Sequence, residues 1–178
     1  MKDNGLFDLF VEELADMYSS EHQIIATLPK LIQAASQQSL KDALSAHLKE
    51  TQQQVVRIEK IFQILKMQPY EEECEAMKGL LKEGGQLLSE RSKSPALDAA
   101  IIAACQKVEH YEIASYGTLK AFAKQLEFDS KIVDLLEDTL KEEGGADKKL
   151  TKIAEGTLFS AGVNEEAEEE VTHRKAKK

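Results

Sequence analysis

Apolar residues return every three or four positions through Leu6, Phe10, Leu14, Met17, Ile24, Leu28 and Ile32, a period that only an α-helix turns into one continuous face. The same spacing recurs through Leu40, Leu44, Leu48, Thr51, Val55, Ile58, Phe62 and Leu65, and again through Ile101, Cys105, Val108, Tyr116, Leu119 and Ala123. A fourth stripe runs through Ile132, Leu136, Leu140, Leu150 and Ala154. Four long one-sided helices must bury those faces against each other, so the chain reads as an all-α helical bundle. Only nine glycines and three prolines interrupt it, and there is no tryptophan, which also argues against a sandwich or barrel built on many turns.

The punctuation between stripes sets the connectivity. Pro29 predicts a kink near Ala26 or a break there, because proline removes one backbone hydrogen bond and clashes with the preceding turn. Ser39 reads as the N-cap of the second helix and Pro69 as its stop. The first two helices are thus joined by a short connection and expected to be antiparallel. Between Glu71 and Arg91 a weaker pattern around Gly84-Gly85 predicts a subsidiary helix inside a long crossover. Ser94-Pro95 is a cap followed by a first-turn proline for the third long helix, Asp129 starts the fourth, and Gly156 ends it. Two antiparallel hairpins joined by a long crossover define a ferritin-like four-helix bundle, in which the second and third long helices run parallel. Residues 1–158 are expected to form this domain. Residues 159–178 are expected to form a flexible tail, since five glutamates and four basic residues leave too little apolar surface there to offset ordering.

The net charge of −9 leaves no basic footprint, so neither nucleic acid nor an anionic membrane is an expected partner. No apolar run approaches the roughly 20 residues of a membrane span, and Lys2-Asp3-Asn4 opens no signal-type segment, so the chain reads as cytoplasmic. Cys74 and Cys105 lack CxxC spacing and read as free thiols.

Carboxylates on the apolar stripes are what composition does not explain, because a buried charge needs compensation. On a wheel of about 100° per residue, Glu21 falls at the centre of the first helix's inner face, whereas Glu12 and Asp16 do not. In the fourth helix Glu143 shares the angle of Ile132, Leu136 and Leu150, Asp147 lies about 40° away, and Glu142 points to solvent. In the third, Glu112 is near the middle of the apolar arc beside Tyr116, with Glu109 about 60° to one side and His110 turned outward. In the second, His47, Thr51 and Gln54 lie within the stripe and Glu50 lies on its edge. Each helix thus brings an acid to mid-length, and these positions meet at one level of the bundle. Desolvation and mutual repulsion would force such a cluster to protonate, whereas two metal ions would neutralise it.

Ferritin-like di-metal sites take a Glu from each of two helices and Glu-x-x-His from each of the other two. Here Gln53 follows Glu50 and Ala146 follows Glu143 at that spacing, and His47 and Asp147 are the replacement ligands. His47 also reads as a hydrogen-bonded core histidine, and Tyr18 and Tyr116 as packing residues with satisfied hydroxyls. Gly84-Gly85 and Gly144-Gly145 lack a phosphate-loop context and read as bends or close-packing positions.

The segments Y-S-S-E-H-Q, H-L-K-E-T, E-C-E-A-M-K-G-L and Q-K-V-E-H-Y-E-I-A-S-Y-G-T-L resemble the YciF-type stress-protein family, from about Leu6 to Glu155. The resemblance implies a ferritin-like, rubrerythrin-related bundle, a homodimer and an association with bacterial stress responses. Its candidate metal positions fall on Glu21, Glu50, Glu109, Glu112 and Glu143, with His47 and Asp147 nearby. The function expected is therefore a carboxylate-rich dinuclear iron or manganese site, with peroxide or dioxygen reduction as the reaction to test. The alternative is a non-enzymatic dimeric stress protein whose acidic cluster is metal-free.

Overall fold

The computed structural model describes residues 5–156 and 160–176, with side chains for all of these except 90 and 170–176. Its elements are α1 (Leu6–Ala34), α2 (Gln38–Ile64), α3 (Glu75–Glu90), α4 (Pro95–Gln125), α5 (Ser130–Glu155) and α6 (Val163–Ala176). Among the described residues, no helix is long and apolar enough to cross a membrane.

The four long helices close a ring in which α1 meets α2, α2 meets α5, α5 meets α4 and α4 meets α1. Side-chain contacts give the directions. Phe10, early in α1, stacks edge-on against Phe128 just beyond α4, with centroids 5.1 Å apart, whereas Ser36 beyond the end of α1 reaches Asp98 at the start of α4. The two helices are therefore antiparallel. Lys120–Glu137 and Gln106–Thr151 contacts set α5 antiparallel to α4 in the same way. With the short 35–37 connection reversing α2 against α1, α2 and α4 run parallel, and the molecule is the ferritin-like double hairpin. Helix α3, in the crossover, lies over α1 and α4. The Tyr111 hydroxyl helps to hold it, donating to Asp16 at 2.9 Å and standing 3.1 Å from Cys74 Sγ, which caps α3.

Local signals at α4 and α5 act as the sequence predicts: Ser94 and Asp129 accept first-turn N–H bonds and Gly156 terminates α5. At Pro29 the break alternative is excluded, and at Ser39 and Pro69 the boundaries differ from those predicted. α1 continues unbroken through Pro29 to Ala34, because Leu28 and Leu31 are buried on either side of an exposed proline and their packing outweighs one missing hydrogen bond. α2 begins at Gln38 after Gln37, not after Ser39, and ends at Ile64, before Pro69; the turn there passes through Lys66 in the left-handed region at φ 60°. The start of α2 is fixed from outside. Buried Asp98 accepts from Ser36 N at 2.7 Å, Ser36 Oγ at 2.6 Å and Gln37 N at 2.8 Å. Asp98→Ala would leave these donors without their acceptor, and since a hydrogen bond to a charged group is worth roughly 1.5–3 kcal/mol, a loss of about 3 kcal/mol is expected in denaturant unfolding.

The segment expected as a flexible tail carries α6, laid across α4 and α5. Val163 is fully buried, Gln37 Nε2 donates to Glu166 at 2.6 Å, and Gly162 seats the helix against the end of α5. A Cβ on Gly162 would lie 2.4 Å from the Ala154 carbonyl oxygen, an approach open only to glycine. One buried side chain, one hydrogen bond and one close approach thus place a helix with little apolar surface of its own. The expected 158–159 boundary falls outside the described residues.

The core is divided. Ile24, Leu28, Leu44, Ile101 and Leu150 belong to one apolar cluster and Phe10, Leu14, Met17, Ile58, Phe62 and Leu136 to another. Along the helices, the buried polar residues Glu21, His47, Thr51, Gln54, Glu109, Glu112 and Glu143 stand between them.

Candidate metal centre

The dividing layer draws on all four long helices. Glu21 comes from α1, His47 from α2, Glu109 and Glu112 from α4, and Glu143 from α5. His47 is 5% exposed, Glu109 2%, and the other three not at all. One ligand atom from each of His47, Glu109, Glu112 and Glu143 can be chosen so that all lie within 4.8 Å of one another. Glu21 adjoins this group, accepting a hydrogen bond from the buried Tyr116 hydroxyl.

Partners inside the protein satisfy only part of the layer. Gln54 Nε2 donates to Glu143 Oε1, and His47 Nε2 stands 3.4 Å from Glu109 Oε1, too long for a good hydrogen bond. Of ten buried side-chain polar atoms without a hydrogen-bond partner among the described residues, seven belong to these five residues: Glu21 Oε2, both ring nitrogens of His47, Glu109 Oε2, both oxygens of Glu112 and Glu143 Oε2; an eighth, Gln54 Oε1, lies in the same layer. Burial, and then the charge of Glu143, pushes Glu21 and Glu112 well above the usual carboxylate range. Glu109 is raised chiefly by burial, then by its interaction with Glu143. Burial also lifts the Tyr116 hydroxyl, followed by the charge of Glu21. The Cys105 thiol is pushed up to about 12 by burial and Glu109; both cysteines are buried and free.

Two predicted ligands stand apart. Glu50 has a 44% exposed side chain, with Oε2 3.8 Å from His47 Nδ1, and proximity to His47 is the main cause holding its carboxyl below the usual range. Its stripe-edge angle turns it to the rim, and His47, one turn earlier, represents α2 at the cluster. Asp147 accepts from Gln106 at 3.0 Å and stands 3.4 Å from the outward His110, on the α4–α5 seam. Glu142 is not the solvated residue the wheel predicts. Arg57 grips both its oxygens at 2.5 and 2.6 Å, and Gln54 donates to it at 3.1 Å. Arg57 and the bridging role of Gln54 carried no signal in the periodicity, because both depend on how α2 and α5 are set against each other.

A family model described as a domain of unknown function, DUF892, matches residues 5–168. The chain belongs to the DUF892 family. Protein YciF of Escherichia coli K12 is 45% identical over 150 residues, which are 83% of this chain and 89% of that protein. The crystal structure of the E. coli stress protein YciF superposes with a TM-score of 0.80 at 43% identity, over 84% of this chain and 94% of that one. YcfI from Rhodopseudomonas palustris gives 0.83 at 41% identity, over 86% and 99%. A more distant structure, protein XCC3681 of Xanthomonas campestris, shares the fold at a TM-score of 0.67 and 17% identity, over 98% and 100%. This DUF892 chain is thus a YciF homologue whose bundle encloses a layer of buried acids and one histidine.

Proposed function

We propose that the buried layer is a dinuclear site for iron or manganese, and that the protein is a ferritin-like stress-response protein whose site meets peroxide or dioxygen. The observation that carries this reading is that seven of the ten unpartnered buried side-chain atoms among the described residues belong to Glu21, His47, Glu109, Glu112 and Glu143. Native proteins rarely bury polar atoms unsatisfied, and these all lie in one layer. Two divalent ions would balance the four negative charges of Glu21, Glu109, Glu112 and Glu143, removing the repulsion and desolvation that otherwise drive protonation. His47, Glu109, Glu112 and Glu143 would hold the first ion, and Glu21 is the further carboxylate for the second. Oxygen donors with one imidazole suit iron or manganese better than calcium. Such a pair supplies Lewis acidity and one-electron chemistry toward peroxide or dioxygen.

The chain's own groups orient the donors. Tyr116 holds Glu21 by its hydroxyl, Gln54 holds Glu143, and the same Gln54 amide nitrogen donates to Glu142, which Arg57 grips. The apolar clusters above and below exclude water. All these residues belong to one chain, so in the homodimer we propose for the cytoplasm each protomer carries a whole site. Elemental analysis after reconstitution with iron or manganese tests the reading: up to about two ions per chain are expected, as in other di-metal bundles. No bound ion with either metal would favour a metal-free cluster that serves fold specificity.

A further inference from the structure

The departure from the Glu-x-x-His pattern leaves a gap in the wall of the bundle. Ala146 stands three residues after Glu143, where that pattern has histidine, and Gly145 precedes it. α5 runs unbroken through both, and a Cβ on Gly145 would meet nothing within 4 Å, so this glycine serves neither a bend nor close packing. Between α2 and α5 lies an opening of about 230 Å³, with Glu50, Gly145 and Lys149 at its rim and His47 and Glu109 at its floor. Exposure falls steeply along it, from 44% at the Glu50 side chain to 2% at Glu109. Among the described residues the ring nitrogens of buried His47 have no hydrogen-bond partner, only the longer approaches of Glu50 and Glu109 at 3.8 and 3.4 Å.

We infer that this opening is the port through which a divalent cation reaches the buried layer, with Glu50 the first carboxylate it meets and His47 the next donor. The inference rests on the metal-site reading and adds a route to it. Glu142 also lines the opening, but Arg57 meets its charge. Glu50 is therefore the attracting charge at the rim, opposed by Lys149, and it lies 3.8 Å from His47 Nδ1. Water occupies about 30 Å³ per molecule in the liquid, so the opening has room for an ion with its inner hydration shell. A second cavity, of about 150 Å³, reaches His47 and Glu109 from beneath α3, but Ile24, Leu28, Leu31 and Leu81 wall it. An apolar wall offers a cation nothing in exchange for its water.

Stopped-flow mixing of Co²⁺ with the full chain, stripped of metal by chelation and held at low salt, tests the port through the growth of cobalt's visible absorption. Gly145→Leu plugs the opening without touching a donor and is expected to slow loading about tenfold or more. Glu50→Gln is expected to slow it about fivefold and Lys149→Gln to speed it, both effects shrinking as salt is added. The final absorbance should match the wild type in all three. Loading of Gly145→Leu and Glu50→Gln at the wild-type rate overturns the port. So does slow loading of Ala104→Leu, which narrows the apolar cavity instead. A wild-type chain that develops no cobalt absorption overturns the metal-site reading and the port with it, whereas normal wild-type loading with indifferent variants overturns the port alone.

Discussion

Glu112→Gln and Glu143→Gln are expected to strip the protein of most of its metal while leaving the helical bundle intact. Both side chains are fully buried at the cluster, and an amide keeps the shape of the carboxyl group but donates weakly to a cation. Binding to the folded state alone stabilises by mass action, about 4 kcal/mol for one site at a thousand times the dissociation constant. An affinity about 100-fold weaker at the same free metal leaves about 1.4 kcal/mol, so about 2.7 kcal/mol of metal-dependent stability disappears. In a chain of this size that is roughly 5–11 °C in melting temperature. In the metal-free protein the sign reverses for Glu112→Gln: removing one of several repelling acids should raise the melting temperature at pH 8. Glu50→Gln should keep its full metal content, and Glu142→Gln should keep its metal while losing about 1 kcal/mol with its partly exposed Arg57 pair. Thermal melts with and without chelator, paired with elemental analysis, measure all four variants. Full metal content in both Glu112→Gln and Glu143→Gln would show that the buried layer is not the site.

Stripped of metal, the protein is expected to lose stability as pH rises from about 5 to 8, opposite to the trend of proteins whose carboxylates are paired. Glu21, Glu109 and Glu112 all have folded-state values above the ordinary carboxylate range, chiefly through burial. A raised value means that the folded chain holds protons the unfolded chain has released. The stabilisation is fully present below the unfolded value of about 4.3 and drains away as pH climbs toward the folded one. One group contributes about 1.4 kcal/mol per pH unit, hence about 4 kcal/mol across three units. A domain has only about 5–15 kcal/mol in total, so more than one such group titrating fully would leave the stripped chain barely folded at pH 8. Metal loading should flatten or invert the trend, because ions compete with those same protons and bind more tightly as pH rises. Urea unfolding of chelated and loaded protein at pH 5 and 8 reads both slopes. A flat profile in the chelated protein would mean that the acids are compensated without metal.

Much of this architecture is legible along the chain because helical periodicity is a local property. A rotation of about 100° per residue puts Leu14, Met17, Ile24 and Glu21 on one face whatever they pack against. That geometry, with caps at Ser94 and Asp129 and the length of the crossover, determines four helices, two hairpins and the level at which Glu21, Glu109, Glu112 and Glu143 meet. Rotation about one axis says nothing about the neighbouring helix. Only the packing of α2 on α5 decides that Glu142 meets Arg57, that Gln54 braces Glu143, and that His47 rather than Glu50 reaches the cluster. Asp98 lies in the first turn of α4, where local geometry gives an acid only a helix-end role, yet it pins the α1–α2 connection because α4 begins beside that connection. Likewise Pro29 predicts a kink or a break from local geometry alone, and with the flanking leucines buried the helix does not break. The sequence by itself determined which side chains each helix turns inward; the tertiary structure decided which of them meet, because distance between helices depends on every face packed at once.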